Sequence, residues 1–140
     1  MKTIKKIVLF ALVSLMLFSV VACGTSEKET VDYSGECVET NAGRGTITVT
    51  KKDDGYDVWI RWPNSAEEVY NWNFSGTFDD NGVMQYTGCE KTIITFDENG
   101  NDSSKTSYTN GTGSLTVKNG TITWKDNKEN AGKNVKFVKE

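Results

Sequence analysis

Carboxylates are the main side chains in this sequence that could take part in catalysis. Its 140 residues include 19 Asp and Glu and no histidine. The lack of histidine removes the usual general base, transition-metal ligand and pH switch. Adjacent carboxylates lie at 53–54, 67–68 and 79–80. Glycoside hydrolysis needs two carboxyl groups facing each other across a cleft, about 5 to 10 Å apart, and neighbours in one tight turn do not meet that need. The sequence therefore predicts that the protein is not an enzyme.

Residues 97–102 are a second candidate, because the run Asp97-Glu98-Asn99-Gly100-Asn101-Asp102 is rich in oxygen ligands. A calcium loop of the EF-hand type needs glycine at its sixth position and a bidentate Glu at its twelfth. Here the glycine comes earlier, and Tyr108 stands where the Glu is required. Asp, Asn and Gly are also the residues that hairpin loops favour. We therefore expect a hairpin loop here, no metal site and no cofactor.

The N-terminal segment has the composition of a secretory leader. Residues 1–6 are short and basic, and residues 7–21 form an apolar run broken only by Ser14 and Ser19. A transmembrane helix needs about twenty apolar residues, more than this run supplies. Residues 1–22 are therefore predicted to be a signal peptide.

The leader ends in Val20-Val21-Ala22-Cys23, which resembles a bacterial lipobox. The resemblance implies a diacylglyceryl thioether on Cys23 and cleavage before that residue. Two or more acyl chains are enough for stable anchoring in a bilayer. The alternative, cleavage by the ordinary signal peptidase, lacks an Ala-x-Ala site. We expect residues 23–32 to be a lipidated tether that holds the domain at the extracytoplasmic face of the cell membrane.

Charge narrows the choice of partners. The formal net charge is −3, but Lys2, Lys5 and Lys6 leave with the leader, so the mature chain keeps 13 basic and 19 acidic residues. This acidic balance disfavours nucleic acid. The expected partners are the lipid bilayer, through acylated Cys23, and an extracellular ligand or protein whose identity the sequence does not give.

The remaining cysteines, Cys37 and Cys89, are predicted to form a disulfide, because thiols outside the membrane are usually paired. The bridge would close an interval of 52 residues, worth about 4 kcal/mol in the chain-entropy model. Two separate thiols in an anaerobic organism are the alternative.

Residues 33–140 have an all-β pattern, since Gly, Asn and Asp recur between short runs rich in Thr, Val, Ile and aromatic residues. Eight or nine strands joined by short loops predict an antiparallel meander closed into a small up-and-down barrel. A two-sheet β-sandwich is the alternative. The exception to the pattern is Ser65-Ala66-Glu67-Glu68 after Pro63, whose capping-box form predicts one helical turn.

Three turns set the predicted registers. A two-residue turn at Asp54-Gly55 and another at Asn119-Gly120 each align apolar side chains, and a three-residue loop ends at Gly82 with a left-handed backbone. The predicted pairs are Ile47 with Trp62, Val49 with Ile60, Leu115 with Trp124, Val117 with Ile122, Phe78 with Met84 and Gly76 with Tyr86. The last register places Cys89 on the face opposite Phe74 and Phe78, which predicts a disulfide outside the core or at an end of the barrel.

The first register also places Trp59 and Arg61 on the face opposite Val58 and Ile60. Aromatic and Arg side chains dominate the binding energy of contact patches. Trp59 and Arg61 are therefore the first binding candidates, with Pro63 and Asn64 of the following loop as the second. Two alternatives are a Trp59 covered by a neighbouring segment and a wide barrel whose interior this face lines.

The domain resembles calycin-like small barrels and uncharacterised single-domain lipoproteins of Gram-positive bacteria. The segments that carry the likeness are Trp62-Pro63-Asn64-Ser65-Ala66-Glu67-Glu68 and Trp124-Lys125-Asp126. The likeness names no activity. Because a lipid-tethered acidic barrel without histidine or a metal motif has little catalytic chemistry to offer, we expect a non-catalytic binding module for a small ligand, a glycan or a partner protein. The alternative is an inhibitor of a cell-wall-degrading enzyme such as lysozyme, acting through a protruding loop at residues 63–69. The resemblance to small-barrel lysozyme inhibitors is architectural only.

Overall fold

The computed structural model describes residues 30–140, so the predicted signal peptide, Cys23 and most of the tether lie outside the described residues. The described part consists of eight strands joined by turns and loops, and within it no helix has the length and apolar character to cross a bilayer. The strands are β1 (Gly35–Glu39), β2 (Thr46–Lys52), β3 (Gly55–Pro63), β4 (Glu68–Gly76), β5 (Val83–Phe96), β6 (Asp102–Lys118), β7 (Thr121–Asp126) and β8 (Lys136–Val138).

Every strand pairs antiparallel with its neighbours in sequence, and β8 returns to β1 to close a barrel. The closing pairs are Val38 with Val138 and Glu39 with Phe137. The all-β meander and its closure are therefore confirmed, and the two-sheet sandwich is not adopted. Closure removes the two free edges that an open eight-stranded sheet would expose.

The core lies inside the barrel because inward and outward side chains alternate along the strands. In β3, for example, Val58 and Ile60 are buried while Asp57 and Trp59 face out. The residues that are at most 2 % exposed come from β2, β3, β5, β6, β7 and β8. They are Ile47, Val49, Val58, Ile60, Met84, Tyr86, Cys89, Leu115, Asp126 and Phe137.

The Asn119-Gly120 turn forms as predicted. Leu115 pairs with Trp124 and Val117 with Ile122, and both turn residues have the positive φ of a type I′ hairpin, 51° and 74°. A two-residue turn of this type leaves the flanking strands a single register, which explains why the pairing follows from the dipeptide.

The Asp54-Gly55 hairpin has a different register from the predicted one. The loop residues are Asp53 and Asp54, Lys52 pairs with Gly55, and Ile47 consequently faces Ile60 rather than Trp62. Gly55, with φ at 149°, follows the turn instead of occupying its second position. The partners are displaced by two residues, and because side chains alternate with a period of two, every face assignment in β3 survives.

The third hairpin matches its prediction only near the loop. Gly82 has a φ of 74°, and the amide of Asp79 donates to the carbonyl of Val83 at 2.9 Å, as a three-residue loop requires. Farther along, Asn73 pairs with Glu90, one residue beyond its predicted partner Cys89. An irregularity lies between Tyr86 and Cys89 in the β5–β6 ladder, where Gly88 has a φ of 65°. A one-residue shift reverses the faces, so Cys89 lies in the core and its predicted outward position is wrong.

Two loops complete the comparison. Residues 64–67 form a bend that joins β3 to β4, not the predicted helical turn, because Glu68 already belongs to β4 and its carbonyl accepts from the amides of Asn64 and Ser65. Residues 97–101 form the predicted hairpin loop, in which Asp97 Oδ1 accepts from the amides of Asn99 and Asn101 at 2.9 Å.

Candidate functional site

Trp59 is both exposed and held in place. Its side chain is 43 % exposed, the largest exposed aromatic surface among residues 30–140. Its indole Nε1 donates to Asn71 Oδ1 at 3.2 Å, and Asn71 itself is buried. Trp59 pairs with Thr48 on one side and with Asn73 on the other, so the ring stands in a polar row on the outside of the barrel. The predicted outward position of Trp59 is confirmed.

The other predicted binding residues lie farther along the same strand. Arg61 pairs with Thr46 and Asn71 and is half-buried, Pro63 ends β3 and is also half-buried, and Asn64 is exposed in the following bend. Asn64 Nδ2 donates to Glu68 Oε1 at 2.8 Å, a contact internal to the bend. The structure thus brings Arg61 next to the Trp59 row and leaves Pro63 and Asn64 at the end of the strand.

A groove of about 500 Å³ opens beside Trp59 on the outer surface of β3 and β4. Its floor carries the outward side chains Thr50, Asp57, Asn73 and Ser75, and its wall is Thr87 and Gly88 of β5. The regular pairing of β4 with β5 ends at Asn73 and Glu90, so the wall belongs to the segment where β5 departs from its register. The irregularity that moves Cys89 inward therefore also shapes the groove.

Asp57 supplies the charge on the groove floor. The Ser75 hydroxyl donates to Asp57 Oδ1 at 2.7 Å, and Lys52 Nζ lies 3.1 Å from Asp57 Oδ2. The Ser75 hydrogen bond, followed by the Lys52 contact, holds the pKa of this carboxyl below its usual range. Asp57 is consequently ionised at neutral pH, with Lys52 beside it as a partial counter-charge.

No protein-family model, curated protein or solved structure matches this chain. We therefore infer the chemistry of the groove from its own side chains. These side chains are one aromatic ring, one carboxylate, one carboxamide and three hydroxyl groups, drawn from four strands. Such a set can stack on a ligand and exchange hydrogen bonds with it. Within residues 30–140 no three His, Cys, Asp or Glu side chains lie together in a way that could hold a metal ion.

The structure shows the two core cysteines as free thiols, so the predicted disulfide is not formed there. Cys37 is 7 % exposed and Cys89 is fully buried, on β1 and β5 respectively. Burial raises the pKa of both thiols, that of Cys89 to about 12. A thiol with so high a pKa is a poor nucleophile, and both side chains act as core residues.

Sequence reasoning missed a buried cation at the barrel wall. The side chain of Lys91 is only 7 % exposed, and its Nζ lies 2.6 Å from Glu129 Oε2 and 4.3 and 4.9 Å from the ring centres of Tyr70 and Trp72. Trp72 Nε1 in turn donates to the Tyr108 hydroxyl at 2.9 Å. Lys91 occurs in the run Glu90-Lys91-Thr92, where alternation gives no sign that a charged residue points inward. The charged and polar groups of this cluster interact with one another, so we assign the cluster a structural role.

Proposed function

We propose that this protein is a non-catalytic binding module, anchored by acylated Cys23 to the extracytoplasmic face of the cell membrane. Its binding surface is the outer groove of β3 and β4, with Trp59 and Arg61 as the main contact residues. The leader and the lipobox-like segment support the anchor, and the absence of histidine from the sequence supports a role in contact rather than acid–base chemistry.

One observation carries the choice of surface. Trp59 exposes 43 % of its side chain beside a groove, although its hydrogen bond to Asn71 fixes the ring. A rigid aromatic side chain loses little conformational entropy when a ligand covers it, and such preorganised aromatic groups are where binding energy concentrates. The interior of the barrel is a less suitable site, because large core side chains such as Met84, Leu115 and Phe137 occupy it.

Replacing Trp59 tests the proposal. Trp59→Ala should weaken binding by about 30-fold or more, the minimum for a contact hot spot. The same substitution should lower the free energy of unfolding by about 1 kcal/mol, because the ring is outside the core and the main loss is its hydrogen bond to Asn71. The measurements are binding of the membrane-extracted, detergent-solubilised protein to arrays of glycans and extracellular protein domains, and denaturant unfolding of both forms.

Phe96→Ala is the matched control, since Phe96 is 37 % exposed but lies at the far end of β5, away from the groove. It should bind as the wild type does. The proposal is wrong if Trp59→Ala and wild type bind every array component equally.

The anchor has its own test. Intact-mass analysis of protein extracted from membranes should show loss of residues 1–22 and an added lipid mass on Cys23. Cys23→Ala is the control and should give protein without lipid that keeps residues 1–22, because cleavage before residue 23 depends on the lipidated cysteine. Recovery of the wild type as soluble, unlipidated protein would refute the anchor.

The alternative function, inhibition of a cell-wall-degrading enzyme through residues 63–69, stays a prediction. The exposed part of that segment is Asn64, Ser65, Ala66 and Glu67, which offers neither an aromatic ring nor an Arg. Small polar side chains seldom dominate binding energy. The groove beside Trp59 is the better-supported contact surface.

A further inference from the structure

The groove beside Trp59 continues into a second one. The second groove, of about 460 Å³, lies over residues 55–57 of β3, residues 75–76 of β4 and the following Thr77, whereas the first lies over 57–59 and 73–75. The two share Asp57 and Ser75. The two grooves therefore adjoin at this pair and together extend over five residues of β3, about 13 Å at the rise of a β-strand; these two adjoining grooves are called the channel. Its length suits a chain-like ligand rather than a single small ring.

The channel offers hydrogen bonding with little net charge. Its exposed polar side chains include Thr50, Asn73, Ser75, Thr77 and Gln85, all of them uncharged. The charged residues that line the channel are Lys52 and Asp57, which form an ion pair at 3.1 Å, and Asp54 at the turn. Arg61, on the same face of β3 as Trp59, offsets Asp54, so this surface has no net charge and favours a neutral ligand.

We infer that the channel takes a neutral oligosaccharide, an inference that rests on the binding function proposed above. A sugar ring has an apolar face of C–H groups, which the negative face of the Trp59 indole attracts, and hydroxyl groups around its edge, which match the hydroxyl, amide and carboxylate groups of the channel. Asp57 accepts hydrogen bonds only, so it pairs with sugar hydroxyls as donors.

Backbone geometry favours the same ligand over an extended peptide. A peptide that adds to a sheet needs a free strand edge. Residues 55–59 of β3, on which the channel lies, pair with β2 or β4, and Trp59 pairs with both Thr48 and Asn73. A ligand that lies over Trp59 is therefore recognised by side chains, which is how a polyhydroxylated chain is bound.

The test compares three tetrasaccharides by isothermal titration with the membrane-extracted protein: a neutral glucose tetramer, its cationic glucosamine counterpart and its anionic glucuronate counterpart. The neutral tetramer should bind, and more tightly than the corresponding disaccharide. Its affinity should stay within about 2-fold when NaCl is raised from about 50 mM to about 500 mM, because no ion pair forms. Asn73→Ala should weaken it by about 10-fold, the effect of one lost hydrogen bond of about 1.4 kcal/mol.

Thr123→Ala is the control, since Thr123 is an exposed outward residue on β7, and it should leave the affinity unchanged. Preference for the anionic or cationic tetramer, or a strong salt dependence, would overturn the neutral-saccharide inference. Trp59-dependent binding to extracellular proteins alone would overturn it too, while leaving the proposed function standing. If Trp59→Ala binds every ligand as the wild type does, both the saccharide inference and the proposed function are wrong.

Discussion

Trp124→Ala should lower the free energy of unfolding by about 3–5 kcal/mol, the usual cost of truncating a buried tryptophan. Trp124 is 3 % exposed, its Nε1 donates to the Tyr86 hydroxyl at 2.9 Å, and its ring centre lies 4.9 Å from that of Trp72. The substitution removes the ring contacts, opens a cavity and leaves the buried Tyr86 hydroxyl without its donor. Urea unfolding monitored by circular dichroism measures the change.

Trp59→Ala provides the internal comparison, because the residue type and the atoms removed are the same. Only burial differs, 43 % exposed against 3 %. The two variants should therefore differ by more than about 2 kcal/mol in unfolding free energy. If both variants lost the same unfolding free energy, Trp59 would contribute to the core and its exposed surface would not be available to a ligand.

The hairpins show which parts of the fold follow from local sequence. Asn119-Gly120 specified its register because both residues accept positive φ. Asp54-Gly55 has the same form, yet its glycine adopts a φ of 149° after the turn. At that angle a Cβ on Gly55 would lie 2.6 Å from the carbonyl oxygen of Gly76 on the neighbouring strand. The choice between the two turns is thus made by packing between β3 and β4, which a dipeptide does not reveal.

The irregularity in β5 was beyond sequence reasoning for a similar reason. Gly88 in the run Thr87-Gly88-Cys89 is compatible with a regular strand, an irregular one or a turn. Its consequence is large, because it moves Cys89 into the core and places Thr87 beside Trp59. The sequence predicted the outward face of Trp59 from alternation alone, but the groove depends on a wall that arises from tertiary pairing.

Removing either partner of the Lys91–Glu129 ion pair should have a different effect on stability. Glu129→Ala should lower the free energy of unfolding by about 3 kcal/mol, whereas Lys91→Met should lower it by about 1 kcal/mol or less. The side chain of Lys91 is 7 % exposed and that of Glu129 is 40 % exposed. Removing Glu129 leaves a buried cation whose remaining partners are the rings of Tyr70 and Trp72, and such contacts do not replace the lost counter-charge. Removing the Lys91 charge leaves a carboxylate that water can still reach.

The double variant Lys91→Met, Glu129→Ala decides whether the orphaned cation is the cause. If it is, the double variant should be about as stable as Lys91→Met alone, because the buried charge is gone and the methionine fills its space. If the losses of unfolding free energy in the two single variants add up in the double variant, Glu129 stabilises the loop after β7 by contacts other than the ion pair. Denaturant unfolding of the four proteins gives the coupling free energy, which we expect to be about 3 kcal/mol and to change little with salt, since Lys91 is shielded from solvent.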